Sequence, residues 1–329
     1  MGTIYITEQG ATVAKTDGRI LIRKDDRILQ DIPAIQVDQI VVFGNAHLTT
    51  PAVQFILESN IDVAYLSSRG RYRGRLQPEP SKDGALRQAQ YKKSLDFAFC
   101  LALSKEIVRG KIHNALIFLQ RQRGQNDETR AAIETLQMTF HRSAAADTLE
   151  ALRGFEGAAS AAYYRGLRGL LRRGWNFQAR IQHPPPDPIN ALLSLGYTLL
   201  YNHVFAALNI VGLDPYVGFF HQTRHGHATL ASDLMEEWRV IIVDSVVLSV
   251  VNRGELNPQD FRSSEGQIRL TRAGLDRFLH RYDARIQSEV LHPQLHQRLT
   301  YLRCVELQVR HLANVLIDAH SSYQAFRTR

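Results

Sequence analysis

Short runs of apolar residues alternating with polar ones fill the first quarter of the chain. The runs TIYI, ATVAK, RILIR and QIVVFG follow one another between residues 3 and 44. Turn pairs such as Asp17-Gly18 separate them, as expected for short strands joined by tight turns. We therefore predict a small β-rich domain that extends from Ile4 to about Leu76.

One helix interrupts this β-rich region. Thr50 can cap its first turn, Pro51 suits the first helical position, and the apolar run AVQFILES follows. The stretch QPEPSKDG, residues 77–84, has the Pro, Ser and Gly content of a linker. We place a domain boundary there, so that residues 1–84 form the N-terminal domain.

Beyond this linker, apolar residues recur with helical periodicity, which predicts a larger helical domain over residues 85–329. The helical segments are predicted at about 88–122, 127–173, 187–211, 232–252 and 293–319. The proline-rich stretch HPPPDP prevents a regular helix over residues 183–188. The predicted fold class is α+β, with a small N-terminal β-rich domain followed by a larger all-α domain.

The charge distribution favours a polyanionic partner. The chain carries 40 Lys and Arg against 32 Asp and Glu. Residues 1–90 hold 11 of the basic and 10 of the acidic residues, which leaves 29 (40 − 11) against 22 (32 − 10) for the remainder. The predicted helical domain therefore carries most of the positive charge, which is compatible with nucleic-acid binding.

The sequence gives no sign of export or of a membrane anchor. Its first residues lack the basic and apolar regions of a signal peptide, and the apolar run near 240–251 is short and contains Asp244. Cys100 and Cys304 lie far apart, without metal-ligand spacing. We expect a cytoplasmic protein with no membrane contact.

A carboxylate stands out in the segment LRGFEGAASAAYYRGLRGLLRRGW, residues 152–175. If this segment is one helix, Glu156 lies on its apolar side, together with Tyr163, Leu167, Leu170 and Leu171, while Arg165, Arg168 and Arg172 line the other side. A carboxylate on an apolar face needs a partner, and both an internal ion pair and a bound metal meet that need. The arginines fit either a solvated surface or a phosphate contact.

A second group of polar residues lies in GLDPYVGFFHQTRHGHATLASDLMEEWR, residues 212–239. His221 ends an apolar run, and Asp233 and Glu236 fall in the predicted first turn of a buried helix, which Glu237 and Asp244 continue. Acidic residues at this position also suit a capping arrangement. One imidazole with two or three carboxylates is rich in oxygen, which favours Mg²⁺ or Mn²⁺ over zinc.

The remaining motifs narrow the class of protein. The chain contains no HExxH, no GxSxG and no phosphate-binding glycine loop, which argues against a zinc protease, a serine hydrolase and a nucleotide hydrolase. The blocks FEGAASAAYY, PDPINALLSLGYTLLYNHV, GLDPYVGFFH and ATLASDLMEEWR occur in this order. In this succession the chain resembles the CRISPR-associated endonuclease and integrase of spacer acquisition, part of an antiviral defence.

The resemblance extends over nearly the whole chain and implies specific roles. Glu156, His221 and Glu236 match the metal ligands of that family, and Asp233 matches an adjacent acidic residue. The family implies a homodimer, a small ferredoxin-like partner protein that bridges two such dimers, and double-stranded DNA, both prespacer and CRISPR repeat, as substrate.

The expected chemistry is metal-dependent attack on a phosphodiester. A divalent ion neutralises charge on the phosphate oxygens, and either a DNA 3′-hydroxyl or water is the nucleophile. His221 must be neutral to bind a metal, so acid should weaken binding. Two alternatives stay open: a non-enzymatic DNA-binding scaffold with a structural acidic cluster, and a metal-dependent nuclease that does not integrate DNA.

Overall fold

Eight strands in two sheets form the N-terminal part of the molecule. The computed structural model describes residues 2–68, 70–79, 83–172, 174–182, 184–222, 224–264, 267–318 and 320–328. The strands are β1 (Gly2–Ile6), β2 (Ala11–Thr16), β3 (Arg19–Lys24), β4 (Arg27–Pro33), β5 (Val37–Phe43), β6 (Ala46–Leu48), β7 (Asp62–Leu66) and β8 (Tyr72–Leu76). One sheet has the order β1-β5-β7-β8 and the other β4-β3-β2-β6. The predicted β-rich region is confirmed.

Helix α1 (Thr50–Glu58) connects the two sheets, as the sequence predicts, but it begins one residue earlier than expected. The cap is Thr49, whose Oγ1 accepts a hydrogen bond from the backbone N–H of Ala52 at 3.3 Å. Thr50 is already helical, and the assignment of Thr50 as the cap was therefore wrong. Two adjacent threonines before a proline offer the same signal, and only the backbone conformation distinguishes them.

Helices dominate the rest of the chain. They are α2 (Gly84–Ser94), α3 (Phe97–Gln120), α4 (Asp127–Ser143), α5 (Leu149–Leu170), α6 (Pro188–Val211), α7 (Thr229–Met235), α8 (Ser245–Asn252), α9 (Arg272–Ile286) and α10 (Tyr301–Ile317), with a π-helical segment at Arg239–Asp244. Three segments that the periodicity predicts as continuous are divided: 88–122 into α2 and α3, 127–173 into α4 and α5, and 232–252 into α7, the π-helical segment and α8. Asp96 caps α3 and Thr148 caps α5, through side-chain oxygens that accept from Phe99 N and Ala151 N.

Two short hairpins complete this part of the molecule: β9 (Phe261–Ser264) with β10 (Gln267–Leu270), and β11 (Glu289–Leu291) with β12 (Arg298–Thr300). The α+β class is confirmed, although the predicted all-helical region also contains these strands. They are three or four residues long, which is too short to give a clear alternating pattern.

Helix α6 lies at the centre of the helical part. By length and composition alone it could cross a membrane, but 72% of its most apolar window is buried inside the structure, which identifies it as a core helix. Gly196 allows α6 to approach the π-helical segment, since a Cβ there would lie 2.4 Å from Cγ1 of Val243. The central helix is thus packed directly against the segment that follows the acidic residues.

Arg75 connects the sheets to the helices. Its Nη2 donates to Oδ1 of Asn202 in α6 at 2.9 Å, and its guanidinium lies 3.8 Å from the ring centre of Phe205. The predicted linker, residues 77–84, spans the end of β8 and the start of α2, and residues 80–82 within it lie outside the described residues. The division into two domains at this point stays a prediction.

Candidate active site

Helix α5 positions Glu156. Its four glycines do not break it, and two of them allow close packing: a Cβ at Gly166 would lie 2.7 Å from Ala132 and one at Gly169 would lie 2.3 Å from Asn126. Tyr163 and Leu167 are buried on the side of the helix that the periodicity predicts, and Glu156 is partly buried, with 24% of its side chain exposed.

Glu156 has two partners in the described structure. Ser160, one turn further along α5, donates from Oγ to Oε1 of Glu156 at 2.8 Å. The ammonium of Lys111, in α3, contacts the same oxygen. The predicted need for a partner is therefore met by an ion pair and a hydroxyl group in this structure.

Glu236 lies where α7 gives way to the π-helical segment. We predicted it in the first turn of one long helix, but α7 ends at Met235 and a turn separates it from Arg239–Asp244. Its side chain is 4% exposed; Oε1 pairs with Arg239 at 3.0 Å and Oε2 with Lys111 at 2.7 Å. Burial raises the pKa of this carboxyl, but Arg239, Lys111 and His221 outweigh burial and hold it at about 2. Glu236 is therefore an ionised buried carboxylate.

Asp233 holds the loop that carries His221. It is fully buried, and its Oδ2 accepts from the backbone N–H groups of Phe219 at 2.7 Å and Phe220 at 3.0 Å, while Oδ1 accepts from that of His221 at 3.0 Å. The capping alternative is wrong, because α7 begins after Ala228 without a side-chain cap and the bonds of Asp233 reach a different segment.

The imidazole of His221 is fixed by the same carboxylate. Its Nδ1 lies 2.6 Å from Oδ1 of Asp233, and 35% of its side chain is exposed. Burial lowers the pKa of His221, but the hydrogen bond to Asp233 and its charge outweigh this effect and raise it. A histidine held by a carboxylate at one nitrogen presents the other to a ligand, which is the usual arrangement of metal-binding histidines.

Lys111 joins the two glutamates, and the sequence did not identify it. Its ammonium lies between Glu156 and Glu236, and 14% of its side chain is exposed. Burial lowers the pKa of Lys111, but the charges of Glu236 and Glu156 outweigh burial and raise it. The one available signal was a lysine within a largely buried stretch of α3, beside Ile112.

The donor set suits a hard divalent cation, although the side chains are arranged around Lys111. Two carboxylates and one imidazole are the ligand types that Mg²⁺ and Mn²⁺ accept. Among the described residues, no group of three or more His, Cys, Asp or Glu side chains is placed to hold a metal. In this structure an ammonium lies between the two carboxylates, and His221 bonds to Asp233.

The other two acidic residues of the segment point elsewhere. Glu237 accepts from the hydroxyl of Tyr323 at 2.5 Å and from the backbone N–H of Phe326 at 2.7 Å, and burial raises its pKa to about 8. Asp244 accepts from Tyr197 at 2.6 Å. The predicted acidic cluster is therefore divided: Glu237 anchors the C-terminal tail, and Asp244 fixes a buried tyrosine.

Arg239 is held against this tyrosine. Its guanidinium lies 4.7 Å from the ring centre of Tyr197, whose hydroxyl lies 2.9 Å from that of Tyr164. Burial raises the pKa of Asp244 to about 6. Tyr197, which is held by Tyr164 and Asp244, thus fixes Arg239, the cation that pairs with Glu236.

The three arginines of the predicted basic stripe differ in their surroundings. Arg165 and Arg172 are exposed, and Arg172 lies beyond the end of α5, which stops at Leu170. Arg168 pairs with Glu128 at 2.6 Å. This ion pair favours a structural role for Arg168, and a phosphate contact by any of the three stays a prediction.

Comparisons with known proteins give one consistent result. The sequence pattern of the family described as CRISPR associated protein Cas1 matches residues 4–284. CRISPR-associated endonuclease Cas1 3 of Thermus thermophilus is 37% identical, with 100% of this chain and 98% of that protein covered.

Solved structures share the fold. A chain of a Cas6-RT-Cas1–Cas2 complex is 26% identical with a TM-score of 0.86, over 99% of this chain and 36% of that one. A casposase bound to its integration product is 24% identical with a TM-score of 0.85, over 98% of this chain and 93% of that one. The casposase comparison concerns the fold alone.

Proposed function

The chain belongs to the CRISPR-associated Cas1 family, whose pattern matches residues 4–284, and we propose that it is a metal-dependent DNA endonuclease and integrase of CRISPR adaptation. One observation carries the proposal: the buried Lys111 ammonium holds Glu156 and Glu236 together, and His221, fixed by Asp233, lies near enough to help lower the pKa of Glu236. We further propose that it works in the cytoplasm, in antiviral defence.

Each residue of the site would have a distinct role. Glu156, Glu236 and the free nitrogen of His221 would hold Mg²⁺ or Mn²⁺, which supplies charge neutralisation at phosphate oxygens. Asp233 fixes the orientation of His221 through Nδ1. Arg239 holds the second oxygen of Glu236.

The proposed strand transfer conserves phosphodiester bonds and therefore needs no energy source. A DNA 3′-hydroxyl forms one P–O bond as another P–O bond in the target strand breaks, so the number of phosphodiesters is unchanged. Water in place of the hydroxyl gives cleavage. Neither route needs a covalent protein nucleophile, because alignment and charge stabilisation are sufficient. The fold is also that of a casposase solved with its integration product, so the architecture is compatible with strand transfer.

One assay separates this proposal from its alternatives. Purified protein, its adaptation partner and a short duplex with free 3′-hydroxyls are incubated with a supercoiled plasmid that carries the repeat, with Mn²⁺ or with chelator. Metal-dependent joining of the duplex to the plasmid supports the integrase. Cleavage without joining supports a nuclease, and DNA binding without either reaction supports a scaffold.

We expect the exposed arginines to contribute more to DNA binding than the paired one. Replacing Arg165 or Arg172 by Gln should flatten the dependence of log affinity on log salt concentration by up to ~0.9 per lost phosphate contact. Arg168→Gln is the matched control, since Arg168 already pairs with Glu128. Fluorescence anisotropy over a salt series measures the slopes. Unchanged slopes in the Arg165 and Arg172 variants would contradict the proposed contact.

We propose that the chain forms a homodimer through its β-rich part, and that a small ferredoxin-like protein of the Cas2 type bridges two dimers. Strand β4 lies at a sheet edge. Ile28 and Leu29 on it are 65% and 44% exposed, and Ile35, two residues after the strand, is 81% exposed. An exposed apolar edge strand is a ready pairing surface.

Light scattering of the purified chain should give about twice the monomer mass of 37.3 kDa. Ile28→Lys should shift the population towards monomer, because it places a charge at the proposed contact. A stable wild-type monomer at micromolar concentration would contradict the dimer. If the chain alone joined both ends of the duplex to the plasmid and gave inserts of uniform length, this result would contradict the need for a partner.

A further inference from the structure

We infer that Lys111 is an internal counter-cation that a divalent metal displaces, so that metal loading moves the Lys111 ammonium from Glu156 and Glu236 towards Asp244. This inference rests on the proposed function, because it concerns the same site. It adds a residue and a side-chain exchange that the metal ligands alone do not imply.

The position of the ammonium is the first observation. It contacts Oε1 of Glu156 and lies 2.7 Å from Oε2 of Glu236, a carboxylate with 4% of its side chain exposed. Two carboxylates brought together away from water require a compensating cation. Lys111 supplies that charge when no metal is bound, and it does so between the two oxygens that a metal would need.

The second observation is that the other cation of the site is not free to move. Arg239 pairs with Oε1 of Glu236 and packs on the ring of Tyr197, and 18% of its side chain is exposed. Lys111, in contrast, pairs with the two carboxylates that a metal would bind, Glu156 and Glu236. A divalent ion beside both cations would be strongly repelled, so the less constrained one must leave.

The third observation is an acceptor for the displaced ammonium. A cavity of about 20 Å³ adjoins Lys111 and is lined by Ser160, Tyr163 and Asp244. Asp244 is fully buried, and the hydroxyl groups of Tyr197 and Tyr163 and the charge of Arg239 act on its carboxylate. The cavity is large enough for one water-sized group. An ammonium that moves there gains a buried carboxylate oxygen as its partner.

The test measures Mn²⁺ binding by electron paramagnetic resonance on the full chain, together with the melting temperature of the metal-free protein. Lys111→Met should bind Mn²⁺ about tenfold or more tightly, because the competing cation is gone. Its metal-free melting temperature should fall, and saturating Mn²⁺ should restore it. Lys105→Met, on the same helix, is the control and should match wild type in both measurements.

A second variant keeps the inference testable if Lys111→Met does not fold without metal. Asp244→Asn removes the charge of the proposed acceptor, and it should weaken Mn²⁺ binding several-fold in the wild-type background. In the Lys111→Met background the same change should have little effect, because no ammonium needs the acceptor. A double-mutant cycle measures this coupling.

The outcomes distinguish the movement of Lys111 from the metal site on which it depends. Unchanged or weaker Mn²⁺ binding by folded Lys111→Met, or equal effects of Asp244→Asn in both backgrounds, would overturn the exchange while leaving the metal site in place. Failure of the wild-type chain to bind Mn²⁺ at all would overturn the proposed metal site and the exchange with it.

Discussion

Replacing Glu156 by Gln should lower both strand transfer and DNA cleavage by roughly a thousandfold or more, while the affinity for duplex DNA changes little. Removing one group that stabilises charge in a transition state typically costs about 10²–10³ in rate, and Glu156 would also be a metal ligand. DNA affinity depends mainly on phosphate contacts made elsewhere. Gel-based strand-transfer assays and fluorescence anisotropy on the same preparation measure the two quantities.

Glu150→Gln provides the matched control on the same helix. Glu150 lies in the first turn of α5, with 76% of its side chain exposed, and pairs with Arg153. Exposed pairs of this kind contribute about 0–1 kcal/mol, so this variant should retain wild-type activity. Turnover with Mn²⁺ close to wild type in the Glu156→Gln protein would remove Glu156 from the site.

The metal-free stability of the Glu156 variant distinguishes two roles that the sequence left open. An unpaired inward carboxylate would be costly, so its removal alone would cause no loss of stability. The structure instead pairs Glu156 with Lys111 and Ser160. Because Lys111 retains Glu236 as a partner, we now expect a modest fall in melting temperature rather than unfolding.

All four predicted site residues could be located from the sequence because each follows a local signal. Glu156 is a carboxylate on an apolar helix face, and His221 ends an apolar run. Asp233 and Glu236 belong to an acidic group beside a buried helix. The order and spacing of the motifs then identified these residues as members of one site. What each one contacts, however, depends on packing between segments that are distant in the chain.

Lys111 illustrates why that packing could not be predicted. It lies on α3, 45 residues before its partner Glu156 in the chain. A lysine in an amphipathic helix usually reaches solvent, so its type and position give no sign of an ion pair. Only the crossing of α3 with α5 and with the end of α7 brings the three side chains together.

The break in the helix at Glu236 was hidden for a different reason. The run VIIVDSVV is apolar at every position except Asp244 and Ser245, and such a run fits an α-helix and a π-helical segment equally well. Without the break, Glu237 and Asp244 project to neighbouring directions on one helix. With it, Glu237 reaches the C-terminal tail and Asp244 reaches Tyr197.

Replacing Asp233 by Asn should destabilise the fold by about 3 kcal/mol and weaken Mn²⁺ binding roughly 10–100-fold. Both oxygens of the buried carboxylate accept hydrogen bonds, Oδ2 from Phe219 N and Phe220 N and Oδ1 from His221 N. Either orientation of an asparagine side chain therefore places an NH₂ group against a backbone N–H. The loop that carries His221 loses these hydrogen bonds, and Nδ1 of His221 loses the carboxylate that fixes its orientation. Thermal unfolding and Mn²⁺ titration measure the two effects.

Thr229→Ala separates loop stability from histidine orientation. Thr229 Oγ1 accepts from Gly218 N at 2.9 Å and donates to Tyr216 O at 2.7 Å, so it holds the same loop without contacting His221. Its loss should cost about 1 kcal/mol per hydrogen bond and leave Mn²⁺ affinity near that of wild type. If Asp233→Asn bound Mn²⁺ as tightly as Thr229→Ala, the orientation of His221 would not depend on Asp233. An unchanged melting temperature of Asp233→Asn would in turn show that the three backbone bonds do not hold the loop.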